Sequence, residues 1–300
     1  MLQVLTHNIL PIFSMLALGF ILGFFHKISF KEATAVNRIA FLVLQPALIF
    51  PFINELSLDE FRFDAIASYA TCQAFLFFIT YWITSQILRR EKTEAWLLGM
   101  ATIFVNTLLY VWPISFLIYG ESASLPIASI VAWDSTVTFA FFIISTDLLV
   151  TPHGSAIKST RRVVTNPVLI AIVLGCVTNI LHIPIPEPCI TALNFAGVGA
   201  APLTLFALGA ILAGHNLRIS PTIITVSGLK LIVFPIMVWG ALKIGDRPPT
   251  WNTMLVLSAA GPSGAMAFAL AVLHGVRTDQ IAPVIIWTSA ISIISLAWLS

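Results

Sequence analysis

Charge is what this 300-residue chain has least of. Asp, Glu, Lys and Arg make up 9% of it, against about 25% in a soluble globular domain. So sparse a set cannot cover a water-facing surface, which excludes a soluble enzyme or binding module. Cysteine is scarce too. Cys72, Cys176 and Cys189 lie in or beside apolar runs without metal or redox spacing, and are expected as buried, unpaired thiols. A net charge of +2 is too small to draw nucleic acid. There is no G-x-x-x-x-G-K-[ST] loop, no H-E-x-x-H pair and no G-x-S-x-G elbow, so neither an ATP-driven engine, a zinc site nor a serine nucleophile is expected. The chain is thus expected to be no enzyme and to carry no cofactor. The six histidines sit mostly near the ends of apolar runs and read as interfacial. Basic residues follow the first apolar run (Lys27, Lys31) instead of preceding it, which argues against a signal peptide.

What is present is apolar: 58% of residues, with a mean hydropathy of +0.98. A spanning helix takes roughly 20 such residues. Short polar breaks leave ten candidate spans at about 8–25, 34–53, 64–88, 95–119, 125–150, 163–182, 190–213, 221–245, 251–274 and 280–299. They are too long, and alternate too little, for barrel strands. Lys and Arg gather in the odd loops: Lys27, Lys31 and Arg38, then Arg89, Arg90 and Lys92, then Lys158, Arg161 and Arg162, then Arg218 and Arg277. The even loops hold only Arg62, Lys243 and Arg247. The odd loops are therefore expected to be cytoplasmic, with both termini outside and the cell membrane as the location.

The basic break at 151–166 divides the chain into an N-terminal five-span half (1–150), a short cytoplasmic linker (151–162) and a C-terminal half (163–300). With an odd number of spans in each, a repeat must be inverted. Asn8-Ile9-Leu10-Pro11 opens one half and Asn166-Pro167-Val168-Leu169 the other. The prolines Pro46 and Pro202 follow at equal distance, as Pro46-Ala47-Leu48-Ile49-Phe50 and Pro202-Leu203-Thr204-Leu205-Phe206. Pro113 is expected to interrupt the fourth span, and Gly261-Pro262-Ser263-Gly264 the ninth. Broken helices in matching positions point to a carrier's binding site, because irregular backbone in the membrane needs protein or a wet cavity to satisfy it. The plainer reading is that these prolines only kink packed helices.

Of the ionisable residues that fall inside spans two stand out, Asp134 and Lys230. Each costs about 2.5–3.5 kcal/mol to insert. Lys230 is expected as a counter-charge for an anion or a fixed cation replacing a coupling ion, and Asp134 as a proton or cation site. Alternatively they pair with each other or snorkel. Asn106, Thr107 and Ser263 are the polar groups near the breaks, where a following half-helix would offer free N–H groups to a carboxylate. Gln45, Gln73 and Asn194 read as helix–helix hydrogen bonders. The small-residue runs at 197–201 and 209–214 read as close packing.

The chain resembles the auxin efflux carrier family, as a bacterial member, along nearly its whole length. The resemblance rests on Asn37-Arg38 followed by Phe41 to Phe50, Asn106-Thr107-Leu108 leading to Pro113, and Thr165-Asn166-Pro167 through Gly175. It continues in Pro202 to Ala210, Lys230-Leu231 with Pro235, and Ala259-Ala260-Gly261-Pro262. It implies ten helices in two inverted repeats, similar to bile-acid and sodium/proton transporters, with the fourth and ninth helices crossing at Pro113 and Pro262. Asn106 would lie near the substrate. The residues themselves add Thr107, Gly261, Ser263 and Lys230 to Asn106, Pro113 and Pro262 as the candidate substrate-binding set. Family members move organic anions: auxin in plants, malate or malonate in bacteria. Plant relatives work without a sodium or proton gradient, which leaves coupling open here. Two positions depart from the pattern. Val111 stands where Gly is common and Met266 where Asn is common. Both make the expected pocket more apolar and suggest a substrate with a sizeable apolar body.

The leading expectation is a secondary transporter of small organic anions working by alternating access, surrounded by lipid. A homodimer through the second and seventh spans would suit this arrangement. The rivals are a Na⁺- or H⁺-coupled exchanger of the same fold with its ion at Asp134, a membrane-embedded enzyme, and a channel.

Overall fold

The computed structural model describes residues 2–150 and 156–299, apart from the side chains of 156–159. The first residues of the expected basic linker, 151–155, and the Lys158 side chain lie outside these residues. Of the described residues 82% are helical, and none lies in a strand. The helices are α1 (Leu2–Phe24), α2 (Phe30–Asn54), α3 (Phe63–Ile87), α4 (Lys92–Ile103), α5 (107–119) and α6 (124–150). Then follow α7 (Ala156–Val164), α8 (Pro167–Ile180), α9 (Glu187–Leu212, with a turn at 198–199), α10 (Pro221–Leu242), α11 (Pro249–Ala260), α12 (Met266–Leu273) and α13 (Ile281–Leu299).

Seven helical stretches are long and apolar enough to cross a membrane: α1, α2, α3, the joined stretch Thr107–Val150, α9, α10 and α13. The joined stretch is not straight. Gly120 takes φ 65°, which favours glycine, and the first turns of α6 pack back onto the first turn of α5. Large apolar side chains such as Phe63, Phe195 and Trp298 are exposed on the outer surface, as suits lipid. The chain is a multi-pass membrane protein.

Local chemistry sets the helix ends. Ser29 and Glu32 form a capping box at α2: Ser29 Oγ accepts from the Glu32 backbone N–H (3.3 Å) and the Glu32 carboxylate accepts from that of Ser29 (2.8 Å). Asn166 and Ser220 cap α8 and α10, each followed by a proline at the first helical position. Four of the prolines inside helices share one feature, whereas Pro51 lies in plain α-helix. Pro11, Pro46, Pro113 and Pro235 each sit two residues after a π-turn, at Leu5–Ile9, Ala40–Leu44, Thr107–Val111 and Leu229–Val233. A proline cannot donate to the carbonyl one turn back and clashes with it. The wider π-turn accommodates that missing bond, so the helix bends without breaking.

Two bodies are packed side by side. One contains α1, α2, α8 and α9. Its helices touch backbone to backbone: a Cβ on Gly19 would lie 1.9 Å from the Phe206 carbonyl oxygen, and one on Gly209 would lie 2.1 Å from that of Leu16. Gly197 meets the Leu48 backbone in the same way, and Gly175 meets the Ile53 side chain and the Phe50 carbonyl. Asn179 Nδ2 donates to the Ile53, Asn54 and Leu56 carbonyls and so closes the end of α2. The small-residue runs at 197–201 and 209–214 thus contain the contacts expected of them, at Gly197 and Gly209. The second body contains α3 to α6 and α10 to α13, and encloses the only extended backbone at mid-helix among the described residues. Of the three thiols, Cys72 alone is buried; Cys176 is half-buried and Cys189 exposed, all of them free. The expectation of burial fails for Cys189 because it lies on the exposed first turn of α9, two residues from Glu187.

Candidate functional site

Two helices of the second body break and cross. α4 ends at Ile103, and Phe104-Val105-Asn106 runs extended before α5 begins. α11 ends at Ala260, and 261–265 leads to α12. The two links pair as a short antiparallel bridge between Val105 and Ser263. Asn106 N–H donates to the Pro262 carbonyl at 3.0 Å and Gly264 N–H to that of Phe104 at 2.8 Å. Ser263 N–H donates to Thr288 Oγ1 at 3.2 Å. These bonds satisfy backbone groups that lipid could not. Glycine is needed for the approach: a Cβ on Gly261 would lie 2.4 Å from Val111 Cγ2, and one on Gly264 would lie 2.7 Å from the Phe104 ring.

The first break therefore lies at 104–106 and not at Pro113. Pro113 sits inside α5, where the preceding π-turn absorbs its missing donor. Pro262 does lie in its break. Val111 is fully buried against Gly261 and lines no cavity, so it cannot make the pocket more apolar.

Each half-helix that ends at the crossing has its last carbonyls claimed by a neighbouring side chain. Lys230 Nζ, fully buried on α10, donates to the Ala259 carbonyl at 2.7 Å and lies 4.8 Å over the Phe234 ring. Gln73 Nε2, on α3, donates to the Ile103 carbonyl at 3.2 Å and to Asp134 Oδ1 at 2.7 Å. Gln73 Oε1 accepts from Trp133 Nε1 at 2.8 Å, so every polar atom of that amide is used along one network. A cation at a helix C-terminus also meets the negative end of its dipole. Sequence reasoning gave Gln73 a helix–helix hydrogen bond, which it makes, and no role at the site. The available signal was its position, 157 residues before Lys230, with Ile103 and Ala259 spaced almost equally.

Beside the crossing is a cavity of about 120 Å³. Its wall includes Asn106, Thr107, Asp134, Gly264 and Met266 from the second body, and Asn37, Gln45, Asn166 and Thr204 from the first. Gln45 Nε2 donates to Thr204 Oγ1 at 3.3 Å across the wall. Thr107 Oγ1 is buried without a hydrogen-bond partner, at the N-terminus of α5. The fold thus brings together three of the candidate residues, Asn106, Thr107 and Asp134. Gly261, Pro262 and Ser263 lie behind them in the bridge, Lys230 is engaged at Ala259, and Pro113 is apart. A second cavity, about 1150 Å³, opens toward the opposite ends of α2 and α9, between the 55–62 segment, Trp112, Glu121 and Trp251.

A family model described as membrane transport protein matches residues 4–300. A protein of Rhizobium meliloti named "Putative malonate transporter" is 25% identical over 300 residues, covering 96% of this chain and 92% of its own. An "Uncharacterized transporter" of Methanothermobacter thermautotrophicus is 26% identical over 296 residues, covering 97% and 96%.

Proposed function

Because the chain belongs to the membrane transport protein family, that of the auxin efflux carriers, we propose that it is a secondary transporter of small organic anions working by alternating access. One observation carries the reading. Two half-helix N-termini, α5 and α12, meet at a bridged crossing beside a cavity whose buried Thr107 hydroxyl has no partner. Free N–H groups and the positive end of the dipole suit a carboxylate. Asn106 and Thr107 would bind it, and the Gly261–Ser263 backbone would hold the crossing in place. Lys230 would act from behind, through the end of α11. The cavity is small, about 120 Å³, which favours a short carboxylate such as the malonate in one relative's name. It speaks against a sizeable apolar body.

The frame for this reading is ten spans in two inverted repeats of five, with both termini outside. Matched positions 156 residues apart support it. Gly19 and Gly175 meet Phe206 and Phe50, residues in the same relation. His26 and His182 both end a helix in the left-handed conformation, with φ 54° and 48°. The two cavities toward opposite ends of α2 and α9 support alternating access.

The test is uptake by proteoliposomes of labelled malonate, longer dicarboxylates and aromatic acids, with and without Na⁺ and pH gradients. Saturable malonate uptake is expected, reduced at least about tenfold by Asn106→Ala and by Thr107→Val, since each leaves a buried group of the site unpaired. Na⁺ or H⁺ flux without any carboxylate would sink the reading in favour of an exchanger.

A further inference from the structure

Asp134 is the one acid on the cavity wall, and binding a carboxylate gives it no evident task. It is 3% exposed. Its Oδ1 accepts from Gln73 Nε2 at 2.7 Å and from Thr138 Oγ1 at 3.2 Å. Its Oδ2 is buried with no hydrogen-bond partner. Among the described residues no cation lies within ion-pairing distance of either oxygen. The titratable groups whose fields reach it are Lys230 from α10 and Tyr69 from α3, with Cys72 beside Tyr69. The Lys230 ammonium is turned to the Ala259 carbonyl. The Tyr69 hydroxyl is buried without a partner of its own.

A buried carboxylate with a bare oxygen is costly to keep ionised. A second carboxylate entering the same small cavity sharpens the conflict, because like charges at one site leave a proton on one of them. We infer that the carrier binds its organic anion together with one proton, held on the Asp134 side chain, so that anion movement is coupled to proton movement. This rests on the anion-carrier reading above and adds the coupling to it. The proton comes from water on the side to which the cavity is open and returns to water when the anion leaves. The Asp134 O–H bond is the only bond made and broken. A metal cation in the same place would need several oxygen ligands converging on it. The groups that converge on Asp134 are N–H and O–H donors, and no cluster of three acids, histidines or cysteines occurs among the described residues.

The experiment is calorimetric and pH-metric titration of malonate into the purified full-length carrier between about pH 7.5 and 8.5, where free carboxyls are ionised. The wild type should take up close to one proton per malonate bound, with Kd rising up to about tenfold per pH unit. Asp134→Asn should take up none, and its Kd should change less than about twofold across the range. Asp134→Glu should restore the uptake. The wild-type measurement stands on its own if the asparagine variant does not fold. Malonate binding without proton uptake by the wild type overturns this inference and leaves the anion carrier standing. Uptake that persists in Asp134→Asn also overturns it. If neither malonate nor any other carboxylate of the panel binds, the carrier reading falls and this inference with it.

Discussion

Lys230 has no exposed surface, and a lysine buried so deeply needs a reason to be there. Its reason is local: the Ala259 carbonyl ends a half-helix that stops in mid-protein, and an ammonium supplies both a donor and a charge of the right sign. On the other half-helix the neutral Gln73 does the same for Ile103. The difference gives a graded prediction. Lys230→Gln keeps a donor and loses the charge, and should retain partial malonate transport. Lys230→Met fills similar volume with neither, and should lower transport by at least about tenfold with the fold intact, since a buried lone carbonyl costs about 1–3 kcal/mol. Transport assays alongside thermal unfolding in detergent separate the two effects. Unchanged transport in Lys230→Met would remove Lys230 from the mechanism.

Among the elements, the two breaks differ in how they are made. The second is made by residue type: Gly261, Pro262 and Gly264 weaken helix wherever they stand. The first is made by the partner. Phe104, Val105 and Asn106 carry no breaker, and they leave the helix because the 262–264 backbone offers them hydrogen bonds. Val111 fills the space that Gly261 leaves. Gly261→Ala should therefore clash with Val111 and cost about 1–3 kcal/mol. Val111→Ala should relieve most of that in the double mutant. A double-mutant cycle on thermal stability measures the coupling, and additive effects would mean that the two residues do not share this contact.

At the scale of the molecule, the number of spans decides where the termini lie. Ten spans put both on one side; seven would put them on opposite sides. The Lys and Arg pattern and the matched positions 156 residues apart favour ten, both termini outside. A C-terminal alkaline phosphatase fusion should then be active and a green fluorescent protein fusion dark. An inactive phosphatase with a bright fluorescent fusion would reverse the topology.

The sequence alone determined that the chain lives in lipid, because hydropathy and sparse charge are properties of composition that no packing can undo. It also determined that 261–264 breaks a helix, because glycine and proline act through their own backbone. It identified Asn106, Thr107 and Asp134 by type and depth. Tertiary structure decided the rest. Pro113 reads as a break but is absorbed by a π-turn, and 104–106 reads as helix but is pulled into a bridge. Gln73 reads as a helix–helix hydrogen bonder, and only the packing makes its partners the end of a half-helix and Asp134. Each of these depends on which atom of a distant segment lies within hydrogen-bond reach. That distance is set when the helices pack, and no local propensity encodes it.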